Sequence, residues 1–440
     1  MDQGPGGGQG APDAIRLIPL TYLIYRSDCN LPIDARPGNS KRIPGDPYDR
    51  YHGTAKDGMK NLQDARVVLI HDWLTGFRGG EKCLEVLCQL FPNAPIRTLL
   101  HIRGTLPHSI EGHRIQTSFL QKIPKIGKYY RYSLPVMPLA ASWRIEACDL
   151  VYSLSHAVAK SAKAPTGVPH VCYCFTPMRY AWHMKESYFA DRARGLKARA
   201  VDLLMSSLRS WDRRTSNRVS HFIAISETVR NRIRECYGRD SVVIYPPADT
   251  DFYRPDTSVR REDYYLILSA FAPYKRVDLA IEACNRLQKR LVIIGSGQDE
   301  ARLKSLAGPT VEFLGWQPDT VLRDHLRRCQ ALLFPGEEDY GIVPVEANAC
   351  GTPVIAFAKG GATETIVPLG RDGATGVWFE EQKLDSLIAA LEAFERERDL
   401  LDPVVARKQA EKFDRATHID QITKYLSQVL GNPNPASRAP

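Results

Sequence analysis

The stretch PGEEDYGIVPVEANACGTPVIAF, residues 335–357, carries two carboxylates, Glu338 and Glu346, in a setting that suits recognition of hydroxyls and phosphates. An apolar run ends at Phe334, a polar turn follows from Glu337 to Gly341, and an amphipathic helix is predicted from about Ile342. Glu338 then lies in the loop at the carboxyl end of a strand, where open α/β sheets bind ligands. Glu346 is expected about one turn inside the helix, facing the same crevice. Gly341 lets the backbone approach a ligand, and the N–H groups of Gly341, Ile342 and Val343 at the helix start suit a diphosphate. Carboxylates accept hydrogen bonds from sugar and ribose hydroxyls. Two acids near a helix start are also what the helix dipole alone favours, so the pair by itself does not establish a site.

Four further segments combine a predicted strand end with chemistry-bearing side chains. In YYLILSAFAPYKRVDLAIEACNRL (264–287), Lys275 and Arg276 stand at the start of a helix. The dipole disfavours cations there by a few tenths to ~1 kcal/mol, a conflict that a bound anion would remove. In VVLIHDWLTGFRGGEKCLEVL (67–87), Gly79 and Gly80 permit close backbone approach in either a phosphate-cradling turn or a plain tight turn. In DLVYSLSHAVAKS (149–161), His156 follows a strand end between serines and a helix. HVCYCFTPMRYAWHMKESYF (170–189) is dense in aromatics and in residues able to hydrogen-bond, Arg179 and Tyr180 among them as candidate contacts. IIGSGQDEARL (293–303) has G-x-G after a strand but not the third glycine of a dinucleotide fingerprint.

Positioning these groups requires a parallel sheet. From Arg66 onward short apolar runs alternate with helical stretches, the pattern of βα units and an α/β fold. Strands are predicted at 66–73, 96–101, 150–154, 170–174 and 220–225, then at 264–269, 290–295, 311–315, 330–334, 353–357 and 376–379. Helices are predicted at 81–90, 197–214, 277–288, 318–329, 342–349, 384–395, 402–413 and 419–430. Two Rossmann-like halves in tandem result, with the Pro/Asp-rich VIYPPADTDFYRPD (243–256) as the break between them. The expected organisation is a tail over 1–65, a first domain over 66–245, a second over 246–415, and a C-terminal helix crossing back, then a tail, over 416–440. The first 65 residues contain seven prolines and little apolar periodicity, a composition that cannot offset the entropy of ordering. Met59 precedes the first structured segment and is a candidate native start, which mass spectrometry of the native N-terminus would decide.

Composition narrows the class. No apolar run reaches the ~18 residues of a spanning helix, and Leu17–Tyr25 lacks a following small-residue cleavage site. A cytoplasmic protein is expected. The ten cysteines contain no C-x-x-C pair, against a disulfide scaffold or a structural zinc site. The net charge of +9, from 59 basic and 50 acidic residues, is compatible with phosphorylated small molecules or an anionic membrane surface. Nucleic acid is not expected, since no zinc-finger, RNP-like or basic-heptad pattern is present. QKIPKIGKYYRY (121–132) and the basic stretch 189–240 are candidates for docking at the inner face of the plasma membrane, or simply solvated helical faces.

The string through GIVPVEANACGTPV resembles the E-x7-E motif of retaining glycosyltransferases of the family 4 kind, which have the GT-B fold. The 264–287 segment resembles that family's diphosphate clamp, with Lys275 at the motif lysine and Ala270 where an arginine is common. The Gly79–Gly80 loop resembles its donor-facing glycine loop, and SHAVAK its first-domain histidine, which bonds the donor sugar near the 6-hydroxyl. TPMRYAW resembles a subgroup that builds bacterial surface polysaccharides, often from GDP-mannose, although Phe175 and His183 stand where that subgroup frequently has His and Asp. The resemblance spans roughly 66–431 and implies two Rossmann-like domains facing across a cleft. It also implies transfer of a hexosyl group, mannosyl first among candidates, with retention, from a nucleotide sugar to a glycan or lipid-linked acceptor. Lys275, Glu338 and His156 would be catalytic, and Gly79, Gly80, Arg276, Gly341, Ile342, Val343 and Glu346 would bind the donor. No cofactor and no essential metal are implied. A catalytically silent sugar-nucleotide-binding protein and a two-domain NAD-dependent dehydrogenase are the competing readings.

Overall fold

The computed structural model describes residues 62, 64–141, 143–182 and 196–431. Two parallel sheets form two α/β domains, as the alternating pattern predicts. The first contains β1 (Val67–His71), β2 (Ile96–Thr98), β3 (Ile115–Thr117), β4 (Leu150–Ser155), β5 (His170–Cys174), β6 (His221–Ala224) and β7 (Val242–Val243), in the order β3-β2-β1-β4-β5-β6-β7. The second contains β8 (Tyr265–Leu268), β9 (Leu291–Ile294), β10 (Val311–Gly315), β11 (Ala331–Phe334), β12 (Val354–Phe357) and β13 (Gly376–Phe379), in the order β10-β9-β8-β11-β12-β13. Every residue of β1, β4, β5, β8, β9, β11 and β12 is buried. That is why these strands read as continuous apolar runs: helices cover both faces of a parallel sheet.

In each sheet the strand order reverses beside the first strand, between β1 and β4 and between β8 and β11. Crevices at the carboxyl ends of strands form at such switch points. The helices that matter for the site are α1 (Gly79–Leu90), α2 (Leu196–Ser216), α3 (Glu227–Tyr237), α4 (Val277–Leu287), α5 (Ile342–Ala349), α6 (Pro403–Glu411) and α7 (Arg415–Gly431).

Three apolar clusters hold the molecule together. One lies on the outer face of each sheet, and the third runs from Leu69 and Val171 of the first sheet through Tyr340 and Phe413 to Leu332 and Val354 of the second. Helix α7 contributes Ile422, Leu426 and Val429 to this shared cluster. It also sets Tyr425 against His221, rings 6.4 Å apart, and brings Arg415 to 3.9 Å from Glu85 of α1. The last helix therefore packs on the first domain.

Sequence periodicity overlooked β3, β7 and α3. The two strands are short edge pieces, and α3 (ETVRNRIRECY) is so rich in Arg and Glu that only Val229, Ile233, Cys236 and Tyr237 mark its buried side. The stretch read as a turn-rich break begins with the last residue of β7 and is well packed: Ile244, Ala248 and Tyr253 are buried, and Arg407 of α6 donates to the carbonyls of Thr250 and Tyr253 at 2.6 and 2.7 Å. The nine described cysteines are all buried. Among the described residues no helix is long and apolar enough to cross a membrane. Residues 1–58 and His183 lie outside the described residues.

Candidate functional site

The chemistry-bearing residues follow directly on the strands that flank the two switch points. Asp72 follows β1, Gly79 and Gly80 are the first two residues of α1 rather than a separate turn, and His156 follows β4. Lys275 follows β8, and Glu338 follows β11. Both sets therefore belong to carboxyl-end crevices of their sheets.

In the second domain Lys275 ion-pairs with Glu338, side chains 14% and 19% exposed. The contact is built by close loop packing. A Cβ at Gly336 would fall 2.8 Å from Lys275 Cα, and one at Gly361 would fall 2.3 Å from Tyr340 Cα. The Gly361 N–H donates to the Glu338 carbonyl at 2.8 Å. Gly341 starts α5 at φ 78°, a conformation that favours glycine. Ile342 and Val343 are half-buried, at the end of the helix where backbone N–H groups lack intrahelical partners.

Arg276 corrects the sequence argument about cations at a helix start. It is the residue before α4, in the left-handed region at φ 52°. Its Nε donates to Asp278 in the first turn at 3.3 Å, and its Nη1 donates to the Gln382 carbonyl at 3.3 Å. The chain thus supplies its own anion at this helix start. Ala270 is exposed beside this loop and brings no charge to it.

Glu346 is 5% exposed and does not meet Glu338's partner. It is met by Lys82 of α1, Nζ to Oε1 3.3 Å, which also lies 3.8 Å from Asp319. Burial raises the Glu346 carboxyl above the usual carboxylate range, even with Lys82 alongside. Lys82, from the first domain, therefore reaches the second domain's crevice. It follows GGE in the sequence and could have been suspected from its place after the paired glycines.

In the first domain a Cβ on Gly79 would meet nothing within 4 Å, whereas one on Gly80 would lie 3.4 Å from Phe175 and 3.5 Å from His71 Nε2. Gly79 is thus the open position, and Gly80 faces Phe175 and His71 at ordinary contact distance. His156 is 29% exposed and sets its ring edge-on to Trp73 with centroids 4.4 Å apart. Burial, then the nearby Arg179, Lys160 and Arg78, outweigh Asp72 and lower the His156 imidazole below its ordinary range.

Arg179 closes the gap between the domains. Its guanidinium lies 5.9 Å from the ring centroid of Tyr274, next to Lys275, and its Nε donates to Asp339 at 2.8 Å. Asp339, 3% exposed, is shared with Arg232 of α3, and Arg232 also reaches Glu337 at 3.3 Å. Tyr180 lies in the same short helical turn, Arg179–Trp182. A second strut joins the domains at the start of α3. Glu364 accepts from the N–H groups of Glu227 and Thr228 at 2.7 and 2.9 Å, while Ser226 caps the helix through Val229 N–H at 3.0 Å. Asp72, Lys82, Asp339 and Glu364 were all missed by the sequence reading, because their partners are 84 or more residues away.

What the arrangement offers chemically is cations, carboxylates and backbone N–H groups, the partners that suit phosphates and hydroxyls, at the carboxyl-end crevices of two adjoining domains. Comparison with known proteins agrees. Residues 61–252 match the model described as Glycosyltransferase Family 4, and residues 249–414 the model described as Glycosyl transferases group 1. Among curated relatives, a GDP-mannose-dependent alpha-(1-6)-phosphatidylinositol monomannoside mannosyltransferase of Mycolicibacterium smegmatis is 30% identical over 209 residues, 41% of this chain and 54% of the relative. A D-inositol 3-phosphate glycosyltransferase of Geodermatophilus obscurus is 31% identical over 218 residues, covering 42% and 47%. The chain spans about half the length of these relatives. Anabaena HepE in complex with UDP superposes with TM-score 0.61 at 18% identity, covering 82% of this chain and 100% of that one. Sucrose-phosphate synthase from Thermosynechococcus elongatus gives 0.63 at 15% identity, covering 83% and 99%. The tandem sheets are thus those of GT-B glycosyltransferases rather than of a dehydrogenase. With its two halves matched in order from residue 61 to residue 414, the chain belongs to the family 4, group 1, glycosyltransferases.

Proposed function

We propose that this protein transfers a hexosyl group, mannosyl from GDP-mannose, to a glycan or lipid-linked glycan acceptor with retention of anomeric configuration, in cell-surface polysaccharide synthesis. One observation carries the reading: Asp72, His156, Lys275 and Glu338 all follow the strands at the two switch points, where ligands of open α/β sheets bind. Glu346 binds the ribose hydroxyls. Lys275, Arg276, Gly79 and the N–H groups of Gly341, Ile342 and Val343 hold the diphosphate. Glu338 and His156 hold the sugar, and Arg179 and Tyr180 are the further sugar or acceptor contacts.

The charge that must be stabilised develops on the leaving diphosphate. A fixed ammonium and fixed backbone donors stabilise it without rearranging during the reaction. In this reading Lys275 exchanges Glu338 for the diphosphate when the donor binds, which frees Glu338 to accept from sugar hydroxyls. Closure of the domains over the donor keeps water from the anomeric carbon. The protein's own cations carry the charge, so transfer is expected to persist in EDTA. Mannosyl and GDP are favoured by the 30%-identical relative that uses GDP-mannose and by the TPMRYAW string.

A cytoplasmic protein bound at the inner face of the plasma membrane fits a lipid-linked acceptor. The segment 112–145 carries Arg114, Lys122, Lys125, Lys128, Arg131 and Arg144 and no Asp or Glu. Phe119, Ile123, Val136 and Leu139 within it are 53%, 44%, 40% and 71% exposed. Exposed apolar side chains in a segment whose charges are all basic suit an anionic bilayer. Flotation with liposomes should depend on anionic lipid, and charge-independent behaviour would end this part of the reading.

The test of the reaction is a donor screen of GDP-mannose, UDP-glucose and UDP-N-acetylglucosamine, with calorimetry and nucleotide release. GDP-mannose is expected to bind and release GDP on adding acceptor. Lys275→Ala and Glu338→Ala should each abolish release while leaving the fold intact by circular dichroism, and full activity in both would refute the assignment. Binding with no release in any acceptor mixture would make this a silent binding protein instead.

A further inference from the structure

The ring of His156, a candidate sugar contact, lies against a fully buried acid. Asp72, 0% exposed, follows β1 directly. Its Oδ2 accepts from the N–H groups of His156 at 2.7 Å and Ala157 at 2.9 Å, and its Oδ1 from those of Val158 and Ala159, both at 2.6 Å. The same Oδ2 lies 3.1 Å from His156 Nδ1. Burial alone would raise the Asp72 carboxyl, but His156 and these backbone donors hold it below the usual carboxylate range.

The 3.1 Å contact is an ion-pair distance without the alignment of a hydrogen bond; a carboxylate oxygen that close repels a bare nitrogen lone pair and attracts N–H, so the geometry favours hydrogen on Nδ1. For the neutral imidazole this leaves Nε2 without a proton. The other side of the same loop is pinned by a buried cation. Lys160, 0% exposed, donates to the Ala157 carbonyl at 2.6 Å and pairs with Asp212 of α2 at 2.5 Å. Trp182 and Tyr237 also donate to Asp212, at 2.9 and 2.7 Å. The loop 156–160 is thus clamped between an acid on its N–H groups and an ammonium on a carbonyl.

We propose that Asp72 is a positioning residue that fixes His156 in the Nδ1–H tautomer, so that Nε2 presents a lone pair to the cleft and selects donor sugars with a free hydroxyl at the position it faces. The inference rests on the sugar-facing role of His156 proposed above. A hydroxyl donates its hydrogen to such a nitrogen; a deoxyfluoro or alkylated carbon at the same place offers only an acceptor or nothing. The charged and titratable groups around the imidazole are His71, Asp72, Arg78, Lys160 and Arg179, and none of the cations can take Asp72's place as acceptor for Nδ1–H.

The first experiment is histidine-selective 15N NMR on the wild-type protein, where no variant needs to fold. His156, assigned by loss of its signals in His156→Asn, is expected to be protonated on Nδ1 and bare on Nε2 above its titration range. Protonation of Nε2 in the neutral ring overturns the proposal whether or not the protein is a transferase. The second is kinetic. Asp72→Asn offers an amide donor to Nδ1 and imposes the opposite tautomer, the defect that the same change causes in Asp–His pairs elsewhere. It should lower kcat/KM by about 100-fold or more with the native donor. With the deoxyfluoro donor whose fluorine replaces the faced hydroxyl, the wild type should lose activity that Asp72→Asn does not lose further. Equal discrimination between the two donors by both proteins would reject tautomer control and leave Asp72 a purely structural residue. Loss of every nucleotide-sugar activity in the wild type, with the NMR result intact, would instead count against the proposed function.

Discussion

At the scale of single residues, the ion pair between Lys82 and Glu346 matters most for energetics, because it joins the domains within a nearly closed environment. Lys82 is 28% and Glu346 7% exposed at the side chain. Removing one partner of such a pair strands the other, whereas replacing both is far milder. Lys82→Met should therefore lower unfolding free energy by about 1–3 kcal/mol, and Lys82→Met with Glu346→Gln should recover most of that loss. Urea denaturation of the wild type, the two single variants and the double variant gives the coupling directly. Additive losses would mean the pair contributes nothing of its own. Glu346 also illustrates a limit of reading spacing: the seven-residue separation from Glu338 put both carboxylates in the right region, but it could not say that each would find a different lysine.

At the scale of elements, the loop that delivers Glu338 is held by glycines rather than by side chains. A Cβ at Gly361 would sit 2.3 Å from Tyr340 Cα and 2.5 Å from its carbonyl oxygen, so backbone must move. Gly361→Ala is expected to displace Glu338 and cost on the order of 100-fold in transfer, as for ~1 Å misplacements generally, with circular dichroism unchanged. Activity within a few-fold of wild type would show that the loop tolerates the shift. The last helix carries a different liability. His418 donates from Nδ1 to the Tyr245 carbonyl at 2.7 Å and is buried, as is His170, which meets Ser153 Oγ at 2.8 Å. Burial lowers each imidazole from its ordinary 6.5 to about 4. The unfolded chain then takes up these protons first, so stability is full above about pH 6.5 and falls as pH drops towards about 4. The loss amounts to about 3 kcal/mol per group. Melting temperatures between pH 7 and 4 should fall accordingly, and His418→Gln should flatten the slope. An unchanged slope would mean that His418 is charged in the folded state.

At the scale of the whole molecule, the two domains are tied by charged contacts around an apolar seam. Asp339 joins Arg179 and Arg232, Glu364 caps the start of α3, and the shared cluster passes through Tyr340 and Phe413. A carboxylate at a helix N-terminus satisfies orphan N–H groups and opposes the dipole. Glu364→Ala should therefore loosen the seam without touching the donor residues. The expected outcome is a larger radius of gyration by small-angle scattering without donor, a stability loss of about 1–2 kcal/mol, and recovery of the compact form on adding GDP-mannose. Scattering identical to wild type would assign domain cohesion to the apolar cluster alone.

The amino-acid sequence by itself determined the parallel α/β class and nearly every strand, because strands buried on both faces are predominantly apolar, and runs such as VVLI and YLIL mark them. It also located Lys275, Glu338 and His156 in the loops after strands and Glu346 inside the helix that follows, since a break in an apolar run marks the carboxyl end of a strand. It did not reveal the short edge strands β3 and β7 or the charged helix α3, which have too few buried positions to leave a period. Nor did it reveal Asp72 on the 156–159 loop, Lys82 on Glu346, Asp339 between two arginines, or the anion that Asp278 supplies to Arg276. These depend on contacts made in three dimensions: which strand follows which in the sheet, how closely two glycine loops approach, and which face of the first domain meets the second. Charge pairing acts over a few ångströms of space, and the chain's order does not encode that proximity until the two sheets have formed and docked.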